Sequence, residues 1–589
     1  MKTVVTTLNA KYIHTCLALR YLKAYAEPEF PVEITEFTIK DPPMNIATEL
    51  YAKQPDVIGF SCYIWNIEET IPVINMLKKI NPNLTIILGG PEVSYDTEEW
   101  MKRLPEVDAI VIGEGEATFK ELLQTIKKNG SLSEVKGIAY RDKNGIKFTH
   151  PREKMNLDEI PSPFRFKDDL PHLSKRIAYV ETSRGCPFSC QFCLSSIEVG
   201  VRYFNIERMK DELLFLMDHG AKTIKFVDRT FNIRKSYAME MFQFLIDHHR
   251  EGCVFQFEIT ADIMRPEVLE FLNENAPPGL FRFEIGVQST NDETNKLVKR
   301  RQNFEKLARN VAMIKEGGKI VQHLDLIAGL PEEDYASFRK TFNDVFALRP
   351  EELQLGFLKL LRGTGLRLEA EKYGYVYMDH APYEILANHV LSFADIVKIK
   401  QVEDVLNKYW NDHRMDYTIE YLVTHCFETP FDFFQSFGAF WETNGWSRIG
   451  HQLEDLFTRL HEFISHEKLP QYETIIGLMK LDYLRNQNHK PRKIWWPSSI
   501  NKNERQTFTL HLLQQPEQLG ETFAKLQLTE RELIKHTVIE TAPFDVNTFL
   551  STQQLQKKKS LLVVYYNPKK RGETAIFSCP IEAIKRSSA

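Results

Sequence analysis

Two hydrophobic periods alternate along the first two-thirds of the chain. "KTVVTTL" (2–8) and "VEITEFTI" (32–39) are short apolar runs of strand length, and "CLALRYLKAYA" (16–26) between them has helical spacing. "DVIGFSCYI" (56–64), "LTIILGG" (84–90) and "DAIVIGEGE" (108–116) follow, again separated by helical stretches. Five short strands with glycines at their C-terminal ends predict a doubly wound, Rossmann-like parallel sheet that holds a ligand at those ends. No Gly-x-Gly-x-x-Gly opens the first helix, and "GEGEA" (113–117) has the wrong pattern in the wrong place, so dinucleotide binding is not supported. "GIAYRDKNGIKF" (137–148) alternates about Asn144-Gly145 as a hairpin and closes a first domain over 1–150. The proline-marked "LDEIPSPFRF" (157–166) lies in a linker, 151–172.

The same alternation resumes over 173–365. "IAYVETSRG" (177–185), "TIKFVDRTFN" (223–232), "CVFQFEITADI" (253–263), "LFRFEIGVQST" (280–290), "VQHLDLIAGLP" (321–331) and "ELQLGFLKLL" (352–361) read as six strands, most of them followed by a helix. That order predicts a parallel βα barrel, α/β in class, with active-site groups at the C-terminal strand ends. Asp228, Asp262, Glu284, Gln288 and Gly329 fall there. Residues 366–589 show mostly helical spacing and hold five of the seven tryptophans (Trp410, Trp441, Trp446, Trp495 and Trp496). Near the end, "SLLVVYYNPKKRGETAIFSC" (560–579) predicts a β-hairpin with Lys569, Lys570 and Arg571 in a solvated turn.

Charge and composition narrow the partners. A net charge of −5, from 75 basic and 80 acidic residues, gives no general attraction to nucleic acid or anionic membrane. No apolar run approaches the ~18–20 residues that span a bilayer, and the N-terminus lacks a secretory pattern. Cys16, Cys62, Cys253, Cys426 and Cys579 are scattered without disulfide spacing, which suggests a reducing, cytoplasmic setting.

The other three of the eight cysteines crowd into "VETSRGCPFSCQFCLSS" (180–196), as Cys186, Cys190 and Cys193. Structural zinc wants four ligands in paired knuckles, yet the nearest histidines are His172 and His219 and no second cysteine pair exists. Thiolates on short loops also hold iron–sulfur clusters, four to a 4Fe–4S cube. Three leave one iron open to bind a substrate or cofactor.

This stretch resembles the signature of radical S-adenosylmethionine (SAM) enzymes, Cys-x3-Cys-x-aromatic-Cys, with Phe192 in the aromatic place. The resemblance implies a partial (β/α)6 barrel and a 4Fe–4S cluster on the three cysteines. It also implies SAM chelated by the open iron and cleaved to a 5′-deoxyadenosyl radical. "FEIGVQST" is similar to the family's fourth-strand segment, placing Glu284, Gln288 and Ser289 on SAM. "DLIAGLPEED" resembles its fifth-strand segment, placing Gly329 there, although Glu332 stands where glycine is usual. Asp228 and Phe192 complete the expected SAM set.

The first domain resembles the cobalamin-binding domain found ahead of many radical SAM barrels, on the loops "GFSCYIWN", "LGGPEVSYD" and "VIGEGEATF". Ser61, Gly89 and Gly90 match the serine and glycines that admit the nucleotide tail, and Gly113 and Glu114 sit in the third loop. Asn9, Lys11 and His14 replace the family's Asp-x-His-x-x-Gly, so the histidine that ligates cobalt is absent. Cys62 and Trp65, near the expected corrin face, are assigned to packing. The C-terminal third resembles the uncharacterised tail of a subgroup of these proteins.

Together these resemblances imply a cobalamin-dependent radical SAM enzyme that transfers a methyl group, through methylcobalamin, to an unactivated carbon of a small-molecule or peptide substrate. Flavodoxin or ferredoxin would supply the electron. Cyclisation, rearrangement and oxidation use the same cofactors and stay open, as does a non-catalytic redox or cobalamin sensor. A tRNA methylthiotransferase would carry a second cysteine triad in its first domain, where this chain has only Cys16 and Cys62.

Overall fold

A computed structural model describes residues 1–27, 29–197, 200–582 and 584. The chain forms two compact units, Met1–Ile396 and Val397–Ala589.

The first unit opens with β1 (Thr3–Asn9), β2 (Val32–Thr38), β3 (Val57–Ser61), β4 (Thr85–Gly89), β5 (Ala109–Val111), β6 (Ile138–Asp142) and β7 (Gly145–Phe148). They form one sheet in the order β2-β1-β3-β4-β5-β6-β7. The first five strands run parallel, and β6 and β7 add an antiparallel margin. All seven residues of β1 are buried. Val4 and Leu8 enter one apolar cluster and Val5 the other, as a parallel strand covered on both faces requires. The strand order reverses between β1 and β3, so the crevice at their C-terminal ends is a ligand position.

Six parallel strands make the second sheet, interrupted in sequence by a small hairpin. In chain order they are β8 (Ile177–Val180), the hairpin strands β9 (Ser183–Cys186) and β10 (Gly200–Tyr203), then β11 (Thr223–Phe226), β12 (Val254–Ile259), β13 (Phe281–Gln288), β14 (Val321–Ala328) and β15 (Glu352–Phe357). The order β15-β14-β13-β12-β11-β8 leaves β8 and β15 as edges, an open barrel. Burial alternates along each strand. Phe281, Phe283, Ile285 and Val287 of β13 are fully buried, whereas Arg282, Glu284, Gly286 and Gln288 are half-exposed. The apolar side packs under helices: Phe242, on the helix Lys235–His248, meets the rings of Phe257 and Phe281 at 5.3 and 5.4 Å. The concave side is polar, so the lumen is a place for ligands rather than a packed core. A short pair, β16 (Val376–Tyr377) and β17 (Ile385–Ala387), comes next.

Two charge clusters tie the first sheet to later parts of the same unit. Arg20 pairs with Glu36 at 3.0 Å and Asp169 at 2.7 Å, and Arg176 reaches Glu36 at 2.9 Å. Arg362, just after β15, pairs with Glu99 at 2.7 Å and Asp96 at 3.0 Å.

The second unit is mostly helical, as expected, and ends in a three-stranded antiparallel sheet of β18 (Thr537–Ala542), β19 (Ser560–Tyr566) and β20 (Thr574–Pro580). The predicted terminal hairpin is β19–β20. The pattern missed β18 because Glu540 sits mid-strand. That carboxylate is buried only because Lys480, Ser498 and Ser499 satisfy it, at 3.3, 2.6 and 2.9 Å.

Candidate active site at the cysteine hairpin

The strand expected to run straight into the cysteine loop ends at Val180. The chain then folds back as β9, pairing antiparallel with β10 so that Cys186 faces Gly200 and Arg184 faces Arg202. Gly185 makes this possible. Its φ is +99°, and a Cβ there would lie 2.0 Å from the Gly200 carbonyl oxygen. Cys190 and Cys193 lie on the connecting turn, where Ser196 Oγ donates to their carbonyls at 2.7 and 2.6 Å. Gln191 docks the turn on the barrel: its N–H donates to the Val298 carbonyl and its own carbonyl accepts from the Leu366 N–H, both at 2.9 Å. Phe192 is half-exposed on the same turn.

All three cysteines are free thiols. Burial, reinforced by the neighbouring thiols, raises Cys186; burial also raises Cys190, partly offset by the Arg300 guanidinium. Such thiols need a metal's charge to ionise. The donor set is three thiols on one hairpin and its turn, one short of the four that structural zinc takes and in keeping with a cluster that leaves one iron open.

Asp228 lies just beyond β11 and is almost fully buried. Its carboxylate accepts from Thr182 N at 3.1 Å, Thr182 Oγ1 at 2.6 Å and Ser183 Oγ. It holds the base of the cysteine hairpin, with both oxygens engaged by Thr182 and Ser183. Glu284 faces the lumen, with both oxygens on Lys225 Nζ at 2.9 and 2.7 Å. Nearby, burial pushes Glu258 up to about 7. Deeper in the barrel His323 is also buried, which favours its neutral form. Hydrogen bonds to Asp325 at 2.9 Å and Glu352 at 3.2 Å outweigh that and carry it up to about 9. Arg282 closes the row on Glu352 at 2.7 Å.

At the strand ends the structure separates the remaining expected SAM residues. Gln288 has φ +69° at a bulge against β14, and its Oε1 is buried without a hydrogen-bond partner. Ser289 is fully buried and donates to Glu333 Oε1 at 2.6 Å. Gly329 has φ +95°, and a Cβ there would meet Ile385 Cδ1 at 1.9 Å. Its carbonyl accepts from Tyr375 at 2.9 Å. Ser289 and Gly329 thus shape the wall from behind. Asp262 accepts from Asn303 N at 2.9 Å and fixes a neighbouring loop.

In the first domain, Asn66 Nδ2 donates to the carbonyls of Leu8 and Ser61, each at 3.1 Å, joining the ends of β1 and β3. Gly89 accepts from Cys62 N at 2.7 Å. Gly90 has φ +107°, and a Cβ there would lie 2.4 Å from the Cys62 carbonyl oxygen. Gly113 is exposed, with φ +82°, and a Cβ there would find no atom within 4 Å, so the space beside this loop is open. These small residues fit the close approach of a large ligand. Cys62 is fully buried, whereas Trp65 is 46% exposed and stacks on Tyr63 at 4.4 Å. His14 points away to the barrel: its Nδ1 is 2.7 Å from the Tyr179 hydroxyl.

Glu114 links the two halves. It accepts from Met155 N at 3.0 Å and pairs with Arg202 on β10, while Arg184 on β9 pairs with Glu116 at 2.6 Å. The sequence pattern did not single out Arg184, Arg202 and Glu116, because their partners lie about 70 to 90 residues away in the chain.

Comparison with known proteins agrees with this layout. Residues 3–123 match the B12 binding domain and residues 180–345 the radical SAM superfamily. The chain is 34% identical to an uncharacterized methyltransferase of Pyrococcus horikoshii, over 38% of this chain and 51% of that one. It is 28% identical to the cobalamin-dependent radical SAM methyltransferase TokK of Streptomyces tokunonensis, over 54% and 50%. The chain thus spans about half the length of these curated relatives. The solved structure of the cobalamin-dependent SAM radical enzyme OxsB, with aqua-cobalamin and SAM bound, superposes with a TM-score of 0.54 at 19% identity. The match covers 82% of this chain and 79% of that one, and it shows a shared fold. One chain thus carries a match to the B12 binding domain followed by a match to the radical SAM superfamily. Residues 371–565 match a family of proteins of unknown function, DUF4080.

Proposed function

We propose that this protein is a cobalamin-dependent radical SAM methyltransferase acting on an unactivated carbon of a small molecule or peptide. Cys186, Cys190 and Cys193 would hold the 4Fe–4S cluster, Gln288 and Glu284 would face SAM, and Gly89, Gly90 and Gly113 would admit cobalamin. When bound, these groups supply radical generation and a transferable methyl. The protein's part is positioning. Asp228 fixes the base of the cysteine hairpin, Gln288 offers an unpaired acceptor, and the paired charges of the lumen hold the wall rigid. The observation that carries the reading is the clamp from Arg184 and Arg202 to Glu116 and Glu114, which sets the cysteine hairpin against the loop after β5. A flavodoxin or ferredoxin in the cytoplasm is the proposed electron donor.

Anaerobic reconstitution tests it. With SAM and dithionite the protein should form 5′-deoxyadenosine, and Cys190→Ala should not. Absence of that product from a sample with intact cluster absorbance would overturn the enzyme reading. Failure to take up hydroxocobalamin would overturn the cobalamin half.

A further inference from the structure

Among its described residues, the second unit holds a half-buried arginine that has no ion-pair partner and packs against two tryptophans. The helix Phe393–Leu406 continues into a π turn at Asn407–Asn411, an irregularity that often marks ligand sites. Lys408, in that turn, lies 5.6 Å over the ring of Trp441. Arg459, on the helix Leu453–Glu467, covers the same ring at 5.5 Å and Trp446 at 5.3 Å. His451 stands 4.8 Å from Trp441.

Four polar atoms of this cluster are buried without a hydrogen-bond partner: Trp441 Nε1, His451 Nδ1, Arg459 Nη1 and Asp404 Oδ2. Trp441 itself is 1% exposed. Lys408 is neutralised by Asp404, but among the described residues Arg459 has no ion-pair partner. One orphaned donor is tolerable, whereas several gathered beside one guanidinium form a set of unused donors that a ligand can satisfy together.

We propose that Trp441, His451, Arg459 and Lys408 form a binding site for a carboxylate-bearing small molecule. One uncompensated positive charge calls for one negative charge. A guanidinium edge matches a flat carboxylate, and the indole N–H supplies a further donor. The half-exposed Trp446 offers an aromatic wall for the ligand's body. The site stands whatever reaction the barrel performs.

Titration calorimetry on the full chain tests it, with benzoate as probe, benzamide as its neutral counterpart and inorganic phosphate as the competing anion, all at fixed ionic strength. Benzoate should bind saturably and benzamide should not. Arg459→Gln should weaken benzoate by at least about tenfold, the loss of one charge-assisted contact. Trp441→Phe, which keeps one aromatic ring but loses the N–H together with the rest of the indole, should weaken it by a smaller factor. If Arg459→Gln fails to fold, Arg459→Lys and Trp441→Phe carry the same test. Absence of saturable benzoate heat, equal binding of benzamide, or affinity unchanged in the folded variants would overturn the site. Binding of phosphate in place of benzoate would overturn the carboxylate assignment.

Discussion

Arg184, two residues before Cys186, donates to Glu116 of the first domain at 2.6 Å, and the two side chains are 14% and 6% exposed. The same guanidinium reaches Glu181 at 3.0 Å and lies 5.3 Å over the ring of Tyr21. The strand that ends in Cys186 is therefore held from outside its own barrel.

Arg184→Met should expose what that contact contributes. It leaves Glu116 and Glu181 buried without their cation, and breaking such a pair costs about 3–5 kcal/mol. Urea unfolding should show that loss, and iron content after anaerobic reconstitution should fall with all three cysteines still present. Stability within about 1 kcal/mol of the parent, with full iron, would show the clamp to be incidental.

Two glycines in the first domain should respond differently to alanine. Gly90→Ala drives a methyl into the Cys62 backbone, so it should destabilise the fold outright. Gly113→Ala meets no atom of the protein and should cost only about 1 kcal/mol from its positive φ. If the open space at Gly113 is where the corrinoid rests, hydroxocobalamin uptake should fall at least about tenfold while thermal stability barely changes. Unchanged uptake would move the cofactor away from this loop.

Glu333 should make the fold sensitive to pH between mild acid and neutrality. Burial pushes its carboxyl up to about 7, with Ser289 and Thr341 donating to one oxygen and the other oxygen unpartnered. The folded chain keeps this proton where the unfolded chain releases it. Stability therefore declines as pH rises from 4.5 to about 7, by at most about 1.4 kcal/mol per pH unit from this group. Glu333→Gln should flatten that part of the stability curve, measured by urea midpoints across the range.

His323 governs the next window. Held by Asp325 and Glu352, its imidazolium persists up to about 9, against 6.5 in the unfolded chain. Its contribution is complete below 6.5 and disappears as pH rises through about 9. His323→Gln should be less stable near neutrality and should lack the alkaline decline, read from melting temperature against pH.

Strands with a dedicated apolar face were legible from the sequence, because alternation alone reports burial. Both parallel sheets and the terminal hairpin came from it. Features set by distant partners escaped. Gly185 closed the predicted strand 177–185, and nothing in the pattern shows that it pairs with Gly200, where one backbone presses on the other. Glu540 makes β18 look like a polar segment until Lys480, 60 residues earlier, lies against it. At the site the cysteine spacing singled out Cys186, Cys190 and Cys193, which the structure places on β9 and the turn that follows it. The roles of Asp228, Ser289 and Gly329 could not be read, since a polar or glycine strand end looks the same whether it faces the lumen or braces the wall behind it.

The charge clusters along the first unit bear on how such a protein can change over time. Glu36 serves Arg20 and Arg176, Arg362 draws on Asp96 and Glu99, and Arg184 depends on Glu116. Each joins residues on opposite sides of the segment between the two sheets. A recombination event near residue 150 would leave Arg20 with Glu36 but would part Glu36 from Arg176, Asp96 and Glu99 from Arg362, and Glu116 from Arg184. Exchange of the cobalamin module among relatives would therefore need matching substitutions at all three seams, and the two halves are best regarded as inherited together.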